Sequence, residues 1–382
     1  MDVDVAVIGA GPAGATSARH LARAGLQVTV LEKCELPRYK TCGGGLIGRA
    51  RRALAMDLTG AVSRECRAAR LNIDGRSHTV RTDDGLPMVT MTMRDRLDLQ
   101  LMQAARSAGA RLEVSCEVRG LVRHADGIEL TTGMGSVGAR FVVAADGVFS
   151  RTARAAGWNE NPNVVPAVES EIRVDASSFD RYRDTAIFDL GIPTHGYAWV
   201  FPKEEHLSVG CLDASSRPAG LRNTLERYIR GLEVEVLERS DHGYGIPIAP
   251  RAGILARDRM LLTGDAAGLA DPVTCEGISH SVLSGRLAAE AIAHFAEAPQ
   301  ETCAAYQRAL ETEILPELRV SRWLAGLLYG RPGLRSIVMR RLGSVLCEAM
   351  GQLISGRQSY RELLGRPRNY LRLISRLRSS FA

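Results

Sequence analysis

Gly9-Ala10-Gly11-Pro12-Ala13-Gly14 is the segment that most restricts how this chain folds. An apolar stretch of strand length, Val3 to Ile8, runs into it, and a helical pattern follows from Ala13 to Ala24. Gly25 supplies the helix stop, Val28 to Leu31 reads as a second strand, and Glu32 ends that strand. Each position has a mechanical reason. Gly9 makes the tight turn, Gly11 lets the backbone approach a pyrophosphate, and Gly14 lets helix and strand pack closely. Ala13 lies at the junction where the helix N-terminus faces the phosphates. Glu32 stands where a carboxylate accepts the hydrogen bonds of a ribose diol. The segment therefore predicts a dinucleotide-binding βαβ unit, with FAD and NAD both compatible.

Length and charge bound the rest. A chain of 382 residues predicts one large domain or two interlocked ones. With 45% apolar and 24% charged residues it reads as an ordinary globular protein, which excludes the disordered and fibrous classes. No apolar run of about 18 residues occurs, so a spanning helix is not expected. Met1-Asp2-Val3-Asp4-Val5 lacks the basic region of a secretory signal, so a cytoplasmic location is expected. Cys34, Cys42, Cys66, Cys116, Cys211, Cys275, Cys303 and Cys347 then default to thiols, and their spacing predicts no metal site.

The net charge of +6 is unevenly spread. Residues 319–382 hold thirteen arginines against Glu348 and Glu362, a formal +11 that leaves −5 for the remainder. Leu371, Ile374, Leu377 and Phe381 follow helical spacing beside Arg372, Arg376 and Arg378, the pattern of a helix lying on an anionic membrane at its inner face. A C-terminal helical cap with a solvated arginine face is the plainer alternative. No nucleic-acid-binding motif accompanies the charge, so nucleic acid is not an expected partner.

Two later segments separate FAD from NAD. Ala139 to Ser150 reads as a buried strand ending in Asp146-Gly147, and Leu261-Leu262-Thr263-Gly264-Asp265 as another ending in Gly-Asp. In this order after the glycine turn they resemble the glutathione-reductase-type FAD fold of the flavoprotein hydroxylases, over about residues 1–295. Within that superfamily the chain resembles the geranylgeranyl reductase family in three stretches. Pro37-Arg38-Tyr39-Lys40-Thr41-Cys42-Gly43-Gly44 is close to P-x-x-Y-x-x-C-G-G, with one residue fewer between Pro37 and Tyr39 and with Gly45 extending the triplet. Tyr197-Ala198-Trp199-Val200-Phe201-Pro202, continuing to Gly210, matches Y-x-W-x-F-P-x(7)-G. Pro272-Val273-Thr274-Cys275-Glu276-Gly277-Ile278 is close to P-x-x-G-E-G-I. Cys275 replaces a usual glycine, which bears on the loop conformation near the flavin, and Leu212 stands where the second motif often ends in glycine.

The resemblance implies an α/β (α+β) fold: a Rossmann-like FAD-binding domain from 1–155 and 255–295, a mostly antiparallel-sheet substrate domain from 156–254, and a basic helical region from 296–382. It implies that Asp265 holds the ribityl chain, that Arg94 of Arg94-Asp95-Arg96-Leu97-Asp98 contacts FAD, and that Val118 makes a backbone contact on the adenine side. Cys42 is implied as a proton or redox relay. Gly43, Gly44 and Gly45 leave room for the flat isoalloxazine, and the N–H groups at Gly277 and Ile278 face charge on the reduced flavin. Tyr197 and Trp199, two apart on a strand, share one face and are candidates to wall an apolar chain. The implied activity is saturation of prenyl C=C bonds with FAD, reduced by NADPH or a ferredoxin, since the chain carries no second dinucleotide turn. Two other readings stay open on this fold: a flavin monooxygenase or halogenase, and a non-catalytic prenyl-lipid binder.

Overall fold

The strand Val3–Ile8 is apolar along its length because both of its edges and both of its faces are covered. Val28–Leu31 pairs with it in parallel on one side, and Gly135–Ala144 in parallel on the other. The computed structural model describes residues 1–82, 85–161 and 163–365; the amphipathic pattern at Leu371 to Phe381 lies outside them. The sheet has eight strands, continuing through Met260–Leu262 at one end and Arg111–Glu113 at the other. Ile128–Thr132 and Val118–Arg123 extend it as an antiparallel meander.

Parallel pairing has a direct consequence for the site. Every parallel strand ends on the same edge, so the Gly9–Gly14 turn, Glu32, Asp146-Gly147 and Gly264-Asp265 emerge side by side there. Backbone bonds between neighbours hold these ends together, Ala145 N–H to Ile8 O at 2.9 Å and Thr263 N–H to Ala144 O at 3.0 Å.

A second sheet of seven strands runs in the order Val236–Pro247, Val164–Val174, Leu207–Asp213, Gly196–Pro202, Thr185–Leu190, Ala68–Ile73 and Arg76–Arg81. It is antiparallel except where Thr185–Leu190 meets Ala68–Ile73. Two of its strands therefore come from outside 156–254, and they join it by a long-range parallel pairing that leaves no local sequence signal. One face packs Val200, Val209 and Ile172 against Leu225 and Ile229 of the helix Leu221–Gly231. The other face looks into the molecule. A three-stranded sheet (Gly45–Ile47, Val89–Thr92, Val62–Cys66) closes the gap between the two larger ones.

Five helices finish the described chain, from Ile278–Phe295 to Tyr360–Gly365. None of the described helices is long and apolar enough to cross a membrane. One buried carboxylate fastens two of them, Leu315–Leu328 and Tyr360–Gly365, to the loop that follows Asp265. Asp271 Oδ1 accepts the N–H groups of Val273 and Thr274 and the hydroxyls of Ser321 (2.8 Å) and Tyr360 (3.0 Å). Arg335, one of the thirteen C-terminal arginines, is likewise internal and donates to the carbonyls of Thr194 and Leu328. Removing the Asp271 acceptor takes a partner from the buried hydroxyls of Ser321 and Tyr360 and from the Thr274 N–H, and leaves the Val273 N–H only the Ser321 oxygen at 3.2 Å. Asp271→Ala is expected to cost about 3 kcal/mol in denaturant unfolding, several groups each losing a partner, and limited proteolysis should cut first among the helices after Ile314.

Candidate active site

The dinucleotide end is built by missing side chains. A Cβ on Gly14 would lie 1.9 Å from Gly9 O, so the helix Pro12–Arg23 reaches this position only because residue 14 is glycine. That helix has no side-chain cap at Gly11, and a Cβ at Gly11 would meet only Arg94 Nη2, at 3.7 Å. Arg94 is buried and held by Asp98 through Nε and Nη2, both at 2.8 Å; Arg38 reaches the same carboxylate at 3.0 Å. Burial opposes the Arg94 charge, but Asp98 outweighs it and raises the pKa. An open glycine position, an uncapped helix N-terminus and two anchored guanidinium groups together fit a pyrophosphate. Glu32 Oε2 accepts Ala10 N–H at 2.8 Å and its Oε1 accepts Cys34 N–H at 3.1 Å, which fixes the carboxylate at the strand end where a ribose would lie.

The next part of the site centres on the glycine triplet. Gly44 has φ +64, and a Cβ there would sit 2.1 Å from Thr92 O. Its carbonyl accepts Thr92 N–H at 2.8 Å and the Thr92 hydroxyl at 3.1 Å. Lys203, following Pro202 at the end of the aromatic strand, is 1% exposed and donates to Gly43 O (2.5 Å) and Thr92 O (3.0 Å). Burial lowers its pKa. Cys42 Sγ accepts the Gly44 N–H at 3.4 Å. Lys40 packs its Nζ 4.0 Å from the Tyr244 ring centroid, and burial, reinforced by Arg94, lowers its pKa. Asp265 and the start of the helix Ile278–Phe295 at Gly277 line the same space. Cys275 adopts φ +56, so this chain holds the glycine-type backbone of the loop with a side chain that tolerates it less well.

Beyond the triplet the wall is aromatic. Tyr197, Trp199 and Phe201 alternate along Gly196–Pro202 toward the interior, with Tyr197 to Trp199 and Trp199 to Phe201 centroids each 6.1 Å apart. Gly210, the glycine that closes the second motif, makes this possible: a Cβ there would lie 2.1 Å from Trp199 Cζ2, so the indole lies over the bare position. Leu212 is the cross-strand neighbour of Tyr197 and adds apolar wall where a glycine often stands. The Tyr197 hydroxyl donates to Thr274 O at 2.6 Å, and burial raises its pKa well above the usual range; it anchors a loop and keeps its proton.

All of this borders one cavity of about 1270 Å³, which continues between the C-terminal helices past Leu324, Leu328, Met339, Met350 and Leu353. That exceeds the ~300–1,000 Å³ of an ordinary small-molecule pocket, leaving room for a dinucleotide and an apolar chain together. Gly9, Gly11, Ala13, Glu32, Cys42, Gly43, Gly44, Gly45, Arg94, Val118, Tyr197, Trp199, Asp265, Gly277 and Ile278 all line it; Gly14 does not and serves packing alone. Sequence reasoning missed Asp98, Arg38, Lys40 and Lys203. The Asp98 carboxylate was legible in part, being spaced i,i+4 from Arg94 on one helix; the others carry no local signal.

The FAD binding domain family matches residues 2–206. A digeranylgeranylglycerophospholipid reductase from Methanopyrus kandleri is 30% identical over 86% of this chain and 91% of its own length. A menaquinone reductase from Mycobacterium tuberculosis is 31% identical, over 75% of this chain and 76% of its own. Among solved structures, a geranylgeranyl bacteriochlorophyll reductase-like protein from Thermoplasma acidophilum has the same fold, with a TM-score of 0.79 at 24% identity, covering 95% of this chain and 98% of that one.

Gly44→Ala should displace Thr92 and lower FAD affinity at least ~10-fold by flavin-fluorescence titration, because a Cβ 2.1 Å from a backbone oxygen forces the backbone itself to move. Gly75→Ala, with φ +73 but nothing near its added methyl, should leave FAD affinity unchanged and cost only ~1 kcal/mol of stability.

Proposed function

The chain belongs to the geranylgeranyl reductase family of FAD-dependent oxidoreductases, and on that premise we propose that it saturates C=C bonds of a prenyl lipid. The observation that carries this reading is the continuity of the cavity: the glycine triplet, the Tyr197–Trp199–Phe201 face and the apolar section between the helices share one space. FAD bound along Gly9 to Arg94, Asp265 and Gly277 supplies hydride to one carbon of the double bond when reduced. The protein's own residues do the rest. Arg94 and the helix N-terminus at Gly11 hold the diphosphate, Glu32 the ribose, and the bare backbone at Gly43 to Gly45 admits a flat ring system. Trp199, Phe201, Phe188 and Leu212 exclude water and hold an unactivated chain in close register, which an isolated double bond requires. Cys42 is assigned the relay position at the end of the triplet where the apolar wall begins. An external donor, NADPH or a ferredoxin, reloads the cofactor.

A membrane supplies such substrates, and the surface around the helical section suits one. Trp323 is 61% exposed yet lines the cavity, and Leu334, Ile337 and Leu364 are exposed on the two helices that follow. Arg319, Arg322, Arg340, Arg341 and Arg361 are exposed on the same helices. We assign this face to peripheral contact with an anionic bilayer.

Mass spectrometry of prenyl lipids incubated with the FAD-loaded protein and a reductant should show mass increments of two daltons, one per bond saturated; unaltered lipids with a hydroxylated or halogenated product instead would reject the reading. Cys42→Ser should slow turnover while FAD is retained, and an unchanged rate would remove its relay role. Pelleting with anionic vesicles should be released by high salt and weakened by Trp323→Asp; pelleting indifferent to both would remove the membrane contact.

A further inference from the structure

A double bond that takes a hydride on one carbon must take a proton on the other, and the apolar wall around Trp199 contains few groups able to give one. Tyr197 is committed to Thr274 O. Among the carboxyls that line the cavity, Glu169 is the one in register with the aromatic wall. Glu169, on the strand Val164–Val174, lies directly across from Gly210, and Gly210 lies directly across from Trp199. The three form one cross-strand row on the face that looks into the cavity, with the middle position bare. Ser208 Oγ accepts the Trp199 indole N–H at 3.1 Å and donates its own proton to Glu169 Oε1 at 3.0 Å. The hydroxyl's single hydrogen is thereby used, and Oε1 is an acceptor. A proton on a neutral Glu169 resides on Oε2.

We propose that Glu169 is the acid that delivers the proton to the substrate's second carbon, an inference that rests on reading the cavity as a site of C=C reduction. With reduced flavin as the electron source, the double bond gains hydride at one carbon. The Oε2–H bond of Glu169 breaks as the C–H bond at the other carbon forms. The carboxylate left behind regains a proton from bulk water.

The surroundings suit that cycle. Glu169 is 3% exposed, and burial pushes its carboxyl up to about 7, with Glu171 acting in the same sense and Lys203 and the Ser208 bond acting against it. A group with this pKa is protonated often enough to donate and ionises readily enough to be recharged. The recharging side is titratable. Glu171, two residues along the same face, accepts the hydroxyl of the exposed Tyr39 at 3.1 Å. His242, the cross-strand neighbour of Glu169 on the other side, stacks on Tyr39 at 4.4 Å between ring centroids. His206 lies near Lys203 and Glu171, and burial lowers its pKa.

The test uses Glu169→Gln, which keeps the shape and the Ser208 acceptor, and Glu169→Asp. In the apoprotein, infrared difference spectra between about pH 6 and about pH 8.5 should show a protonated-carboxyl band that is lost on the alkaline side and is missing from Glu169→Gln. In single-turnover experiments with FAD-loaded, pre-reduced protein, saturation of a prenyl lipid should fall ~100-fold in Glu169→Gln, and Glu169→Asp should recover part of it. The wild-type rate should decline above about pH 7, and that decline should vanish in Glu169→Gln. An absent band, or a variant that keeps both rate and pH dependence while the wild type is active, overturns the proposal alone. So does a pH decline abolished by Cys42→Ser, which would assign the proton to the thiol. A wild-type protein that saturates no prenyl lipid overturns the function above and this inference with it.

Discussion

The contact between residue 14 and the carbonyl of Gly9 sets the position of nearly everything else. With no Cβ on Gly14, the helix Pro12–Arg23 lies against the strand that feeds it; a Cβ there would fall 1.9 Å from Gly9 O, closer than any side chain permits. The same economy recurs on the helix's far side. A Cβ at Gly285 would fall 2.4 Å from Ala13 O, and Ser17 donates to Gly285 O at 2.8 Å. Small residues on both surfaces bring the helix Ile278–Phe295 close, and its first turn thereby reaches the same cavity edge as Gly11. Two helix N-termini and four strand ends converge on one line because the backbone was allowed to approach itself.

Two buried charged groups then join the parts. Lys203 ends a strand of the seven-stranded sheet, yet its ammonium is spent on carbonyls of the glycine triplet and of Val89–Thr92. Desolvating a cation is costly unless strong acceptors replace water, and two short carbonyl contacts do so here. The result is that the aromatic wall and the glycine triplet are tied directly to each other. Asp271 does the corresponding work for the helices, gathering two loop N–H groups and two helix hydroxyls at a single oxygen. Tyr329 donates to Val273 O and Tyr197 to Thr274 O, so the loop holding Cys275 is tied from both sides. That bracing explains how a non-glycine residue persists at φ +56 there.

How much of this was legible depended on the range of the interaction. The Gly9–Gly14 turn, Glu32 and the i,i+4 pair Arg94–Asp98 are local, and their chemistry is written in a few adjacent residues. The motif ending at Gly210 was legible as a pattern while its reason was not, because the indole that occupies the bare position comes from a neighbouring strand. Ala68–Arg81 joins the second sheet by pairing with Thr185–Leu190, more than a hundred residues on, and no periodicity announces such a partner. Glu169 shows the limit most clearly. In an alternating strand it looks like one more polar residue on a solvated face; only the register with Gly210 and Trp199 turns that face inward. The arginine-rich C-terminus was legible as charge, though Arg335 turns out to be an internal pin and not part of the surface.

The central claim is that cofactor and prenyl chain occupy one continuous cavity close enough to react. Anaerobic titration of the reduced, FAD-loaded protein with a geranylgeranyl lipid tests it most directly. The account predicts that oxidised-flavin absorbance returns, in proportion to the double bonds supplied, with no other oxidant present. Absorbance that stays bleached with every prenyl lipid, and returns only on admitting oxygen, would contradict it.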